Sequence, residues 1–189
     1  MGFENDEDGS ADEFDDGVDD EATWLADQER QHAVDRLRCD NPVLNEWLAA
    51  RRAAFPAWAQ RYGGDWDFGL ASLDRLEALL RSSFSSYEEA RSQQDDPFLL
   101  GAAWYLGEVH NRACGTVWQL HPDAPDHPPY TAQPFVKVPW ERKDEYEDAE
   151  GIEDDARPLY APADGICRLF TDGPPRHLRD ALDRYDPTA

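Results

Sequence analysis

The segment from Asp96 to Gly115 constrains the fold most. Asp96-Pro97 pairs a capping residue with one whose fixed φ suits the first helical turn. Phe98, Leu99, Leu100, Ala102, Ala103, Trp104, Tyr105, Leu106 and Val109 follow with few polar residues between them. A helix that is apolar nearly all round has to be covered on every side, so this one is expected at the centre of the molecule. Gly115 is the expected C-terminal stop.

Other helices are marked by the same signals. Asn41 is a predicted N-cap and Pro42 a first helical position, with Val43, Leu44, Trp47, Leu48, Arg51 and Phe55 at helical spacing. Pro56 is expected to kink or restart that helix, and Gly63-Gly64 to end it. A weakly amphipathic helix is expected from Thr23 through Leu25, Ala26, Ala33 and Leu37. Leu70, Leu73, Leu76, Leu80 and Phe84 form another stripe, widened by Leu79, and Ser85-x-x-Glu88 has capping-box spacing. After Gly115 the period changes. Strands are expected at Thr116–Leu120, at Phe135–Val138 and at Ile166–Thr171, the last closed by Asp172-Gly173. Five prolines make His121–Pro134 an extended loop. Residues 141–157 carry nine acids and read as an exposed insertion, while Leu178, Ala181, Leu182 and Tyr185 suggest a short terminal helix. Helices first and strands later indicate an α+β fold, with N-terminal helices (about 22–115) packed on a small C-terminal antiparallel sheet within about 116–189.

Charge divides the chain differently. Of 189 residues, 41 are acidic and 18 basic, a net charge of −23. Eleven of the acids lie in residues 1–21, with no Lys or Arg and only Phe3, Phe14 and Val18 as large apolar residues. Such a block buries too little to offset the entropy of ordering, so 1–21 is expected to be a disordered acidic tail and 22–189 a single domain. A chain this acidic is repelled by phosphate backbones and anionic membrane surfaces, so neither nucleic acid nor membrane is an expected partner. No run of 18 apolar residues exists, and the acidic start lacks the apolar core of a secretory leader. Cys39, Cys114 and Cys167 are odd in number and widely spaced, which suits three buried thiols in a reducing cytoplasm rather than a disulfide framework. Sixteen arginines against Lys137 and Lys143 suggest a GC-rich bacterial coding sequence.

The most distinctive segment is Tyr105–Trp118. Gly107, Glu108, Gly115, Trp118, Pro134 with Phe135, and Leu178 with Tyr185 resemble a pattern in a diffuse set of uncharacterised bacterial proteins. The resemblance spans roughly 97–185. It implies a buried helix with a Gly-Glu pair, a turn into a strand, a proline-led strand and a short C-terminal helix, and it carries no activity with it. The proline-rich loop and the acidic insertion depart from the compact form of that pattern.

Four residues are candidates for structural or functional roles: Glu108, Arg112, Trp118 and His110. Glu108 lies on an apolar helix with Arg112 at i+4, and a carboxylate there needs hydrogen bonds or a paired charge. It is expected to accept from the turn at Gly115–Trp118 or from a neighbouring helix. The alternative is a general acid/base or metal carboxylate. His110 and Cys114 are also i, i+4, but further ligands would have to come from His121, His127, Cys39 or Cys167 at no recognised spacing. No catalytic, cofactor or metal residue is assigned. The chain reads as an acidic, cytoplasmic protein acting by protein–protein contact on a basic partner, by analogy with proteins that neutralise toxins. The competing reading is a small hydrolase or metal enzyme using Glu108 and His110.

Overall fold

The computed structural model describes residues 16–121, 133–146, 155–171 and 175–187, with side chains from residue 22 onward. The chain divides into two compact units, Met1–Val34 and Asp35–Ala189. The first unit, as far as it is described, is the greater part of helix α1 (Asp16–Cys39). The expected tail therefore gains helical backbone from Asp16, and its residues 1–15 lie outside the described ones. The loop at 122–132 and residues 147–154 lie outside them too.

The second unit holds α2 (Pro42–Tyr62), α3 (Ala71–Ser83), α4 (Tyr87–Ser92), α5 (Pro97–Cys114), α6 (Pro162–Arg168) and strands β1 (Val117–Gln119), β2 (Phe135–Lys137) and β3 (Leu159–Tyr160). Among the described residues it also has two 3-10 helices, Trp140–Glu145 and Leu178–Tyr185. The fold is α+β: mostly helical, with one small antiparallel sheet in the C-terminal half. Its strand order is β1-β2-β3, with Trp118 opposite Val136 and Val136 opposite Tyr160.

Capping signals locate the helices. Asn41 Oδ1 accepts from Val43 N at 2.9 Å, Asp96 Oδ1 accepts from Phe98 N at 2.7 Å, and Gly115 ends α5 in the left-handed region at φ 66°. Pro56 lies within α2, which continues to Tyr62. The capping box falls one residue later than expected: Ser86 Oγ accepts from Glu89 N, and the Glu89 carboxylate accepts from Ser85 N.

Helix α5 is the centre, packed against α2, α6, β1, β2 and the terminal 3-10 helix. Two glycines permit two of these contacts. A Cβ on Gly101 would lie 2.4 Å from the Trp58 ring, and one on Gly107 would lie 2.1 Å from the Trp118 ring. Trp58 also donates to the carbonyl of Phe98 at 3.1 Å. Around it, Phe55, Tyr62, Trp66, Phe68 and Tyr105 form a continuous aromatic cluster, in which Tyr105 donates to Ser72 Oγ at 2.6 Å and accepts from Phe68 N at 2.9 Å.

Two expectations are corrected. Ile166–Thr171 is not a strand, because Pro162 opens α6 there and Arg168 pairs with Asp164 one turn back. A short apolar run does not by itself distinguish a strand from a buried helical turn. Residues 141–157 are not simply an exposed insertion. Lys143 and Arg157 are buried, and the chain runs on into the unforeseen strand β3.

Gly107→Ala gives a direct test of the α5 packing. In an exposed helix alanine would stabilise by about 1 kcal/mol. Here the added methyl displaces an indole, and the variant is expected to lose about 1–3 kcal/mol in urea unfolding.

Candidate functional site

The sequence candidates separate onto different faces of α5. Glu108 is half-buried and its Oε1 accepts from Trp118 Nε1 at 2.9 Å. With the Asn111 amide turned so that its nitrogen donates to Thr116, its oxygen also meets Trp118 Nε1, at 3.1 Å. Glu108 thus holds the first strand to the helix through an indole rather than through backbone N–H groups. Arg112 does not pair with Glu108 among the described residues; its guanidinium lies 3.6 Å over the Phe68 ring. Trp118 also packs edge-on against Trp47 at 5.4 Å.

His110 turns another way and is fully buried. Its ring stacks on Tyr160 at 4.4 Å and 4°, and Nδ1 lies 3.1 Å from the Tyr185 hydroxyl. Burial, with help from the Arg184 charge, holds the imidazole down to about 3, so it is neutral at any physiological pH. Burial pushes the Tyr160 and Tyr185 hydroxyls well above the usual phenol range. This is a packed ring cluster rather than an acid/base pair with Glu108. Among the described residues no group of three or more His, Cys, Asp or Glu side chains is placed to share a metal ion. The three cysteines are unpaired, and only Cys167 is fully buried; Cys39 and Cys114 are half-buried. Burial raises all three thiols above their ordinary value, the opposite of what an activated nucleophile requires.

The strongest electrostatic feature was not anticipated. Arg157 is 3 % exposed and binds three segments of the second unit. Its Nη1 donates to Asp35 Oδ2 at 2.6 Å and to the carbonyl of Val138 at 3.0 Å, while Nε and Nη2 grip Asp155 at 2.8 and 2.7 Å. Lys137 adds a second cation on Asp155, Gln119 donates to Asp35 at 3.3 Å, and the Arg157 guanidinium lies 4.7 Å over the Trp140 ring. Arg38 approaches the other oxygen of Asp35 at 3.7 Å, so three cations surround the two carboxylates. Burial pushes the Asp155 carboxyl up, but the hydrogen bonds from Arg157 and Lys137 outweigh it and hold it at about 2. A second such tie is Glu77, which accepts from Arg81 Nε at 2.9 Å and Leu178 N at 3.0 Å and meets His177 Nδ1 at 3.0 Å. No sequence signal pairs residues a hundred or more positions apart, so both ties were invisible before the fold.

The first unit combines a high negative charge with exposed apolar side chains. It holds thirteen acids against Arg30 alone, about half the net charge of −23. Six of these acids and Arg30 lie on α1, where Trp24 and Leu25 are 52 % and 50 % exposed. No family model matches this chain, and neither does any curated protein or solved structure.

Arg157→Met would leave Asp35 and Asp155 without their main partner in a buried place. It is expected to cost about 3–5 kcal/mol in urea unfolding, part of it restored by adding Asp155→Asn. The pH dependence has a definite sign. His110 and Asp155 both titrate in the fold below their ordinary values of 6.5 and 3.8. Each therefore stabilises fully above that ordinary value and loses the contribution as pH falls, His110 towards about 3 and Asp155 towards about 2. The Asp155 share is on the order of 2 kcal/mol. His110→Phe keeps the stacking on Tyr160, and its melting temperature is expected to stay flat relative to wild type as pH drops from 6.5 towards 4.

Proposed function

We propose that this protein works by contact with a basic protein partner, which docks on the acidic N-terminal unit with Trp24 and Leu25 as apolar anchors. The observation that carries this reading is the coincidence, within the first 34 residues, of about half the chain's net charge with a half-exposed tryptophan and leucine. Negative charge steers a basic surface into encounter, and tryptophan contributes disproportionately once desolvated. The second unit supports the reading by what its polar groups already do. Glu108, His110, Arg157 and Glu77 are all engaged in holding elements together. Neutralisation of a basic protein, as an immunity protein neutralises its toxin, is the kind of role such a surface suits. The setting is a reducing cytoplasm, which agrees with three unpaired cysteines. No helix among the described residues is long and apolar enough to cross a membrane.

Cross-linking in the source cells, comparing the wild-type chain with Trp24→Ala/Leu25→Ala, tests this. The expected result is a basic protein captured by the wild type, with affinity falling steeply as salt rises and lost by at least about tenfold in the variant. Both positions are exposed, so the variant's melting temperature is expected to be unchanged. A partner held equally by both chains, or with an affinity indifferent to salt, refutes the reading.

A further inference from the structure

The second unit has a cavity of about 560 Å³ between β3, α6 and the terminal 3-10 helix. That is the size of a small-molecule site. Its apolar lining includes Phe135, Tyr160, Leu169 and Leu178, all buried. Gly165 also lines it, and a Cβ there would fall 1.9 Å from the Tyr160 hydroxyl, so the bare backbone is what lets the ring sit as it does. The polar lining includes Arg168, Arg176 and Arg184 with Asp164 and Asp180.

The charges at this lining are unevenly satisfied. Asp164 is taken by Arg168 Nε at 2.6 Å, and Asp180 accepts from the His177 N–H at 2.8 Å. Among the described residues Arg184 donates only to backbone carbonyls, of Ala181 at 2.9 Å and Leu159 at 2.8 Å, and it lies 4.8 Å over the Tyr160 ring. The Arg176 guanidinium makes no hydrogen bond or ion pair with any described residue. Two arginines thus line one cavity without a carboxylate partner among the described residues, in a chain where acids outnumber bases 41 to 18. A guanidinium is a rigid fork matched to the oxygens of a carboxylate or phosphate. Arg184 is already held in place by two carbonyls and an aromatic face, so little ordering is left to be done on binding.

We propose that this cavity binds a small anion, a carboxylate or phosphate group on an apolar body, with Arg176 and Arg184 on the anion and Phe135, Leu169 and Leu178 against the body. The field of a chain at −23 repels extended polyanions, which leaves small ligands as the ones admitted.

Titration of the full-length protein with phenyl phosphate, benzoate, inorganic phosphate and benzyl alcohol, read by amide chemical shifts, tests the proposal. Saturable shifts at the cavity are expected with phenyl phosphate or benzoate, and whichever binds more tightly identifies the anion. Inorganic phosphate and neutral benzyl alcohol are each expected to bind at least about tenfold more weakly, because each lacks one half of the recognition. Arg176→Gln is expected to weaken the aromatic anion about tenfold with the spectrum otherwise unchanged, as is Arg184→Gln. Arg179→Gln, whose native side chain pairs with Asp74 and is not among the cavity-lining residues, is expected to have no effect. The proposal is overturned if neither aromatic anion saturates below about 10 mM, if benzyl alcohol binds equally well, or if Arg176→Gln binds as the wild type does. Inorganic phosphate binding as tightly as phenyl phosphate would remove the apolar half.

Discussion

Helix α5 is apolar nearly all round from Phe98 to Val109, and the arrangement of the second unit follows from covering it. Leu99, Ala102, Tyr105, Leu106 and Val109 are all buried, so the helix needs neighbours around its circumference. Ordinary side-chain contact would hold those neighbours at a distance. Gly101 and Gly107 remove the obstacle at two points, and the rings of Trp58 and Trp118 come within reach of the α5 backbone there. One indole belongs to α2 and the other to β1. The same close approach that joins helix to helix therefore joins helix to sheet. Glu108, one residue beyond Gly107, accepts the indole N–H of Trp118 and fixes the orientation of the ring.

Away from α5, the unit is tied by charge. Arg157 links the end of α1, the exit of β2 and the segment leading into β3, with every one of its nitrogen atoms donating. Removing such a group from water is costly, and two carboxylates, a carbonyl and an aromatic face offset that cost together. Lys137 and Lys143 are buried as well, so the chain keeps no exposed lysine and its surface cations are arginines. This sharpens the contrast between an outer surface dominated by acids and a cavity where Arg176 and Arg184 meet no carboxylate among the described residues. The two functional proposals use those two opposite features. One needs a basic protein at the first unit, the other a small anion in the second.

His110 shows how a chemically suggestive residue is disarmed by its surroundings. Between the Tyr160 ring and the Tyr185 hydroxyl it has no contact with solvent, and protonating it would place an uncompensated charge in the core. Its consequence is for stability against acid rather than for proton transfer. Through Tyr160 it also supports the floor of the cavity, which relates the core of α5 to the place where a ligand is proposed to sit.

What the sequence alone determined is local. Asn41-Pro42, Asp96-Pro97 and Gly115 mark helix ends because capping depends on residues two or three positions apart. The apolar run of α5 announces a central helix because burial on nearly all sides leaves its mark on most residues from Phe98 to Val109. The helical-then-strand order was legible for the same reason. Boundaries failed where local signals compete: Ile166–Thr171 has the apolar content of a strand, but α6 forms there because its buried side packs on α5. The candidate roles of Glu108 and His110 were only half legible, since the sequence places both on α5 but does not say which partner each meets. Tertiary structure alone decided that Arg157 is buried against Asp35, that Glu77 receives Leu178 N, and that Arg176 and Arg184 converge on one cavity. Those pairings join residues far apart along the chain, and a charge in a sequence carries no label saying which distant charge will neutralise it.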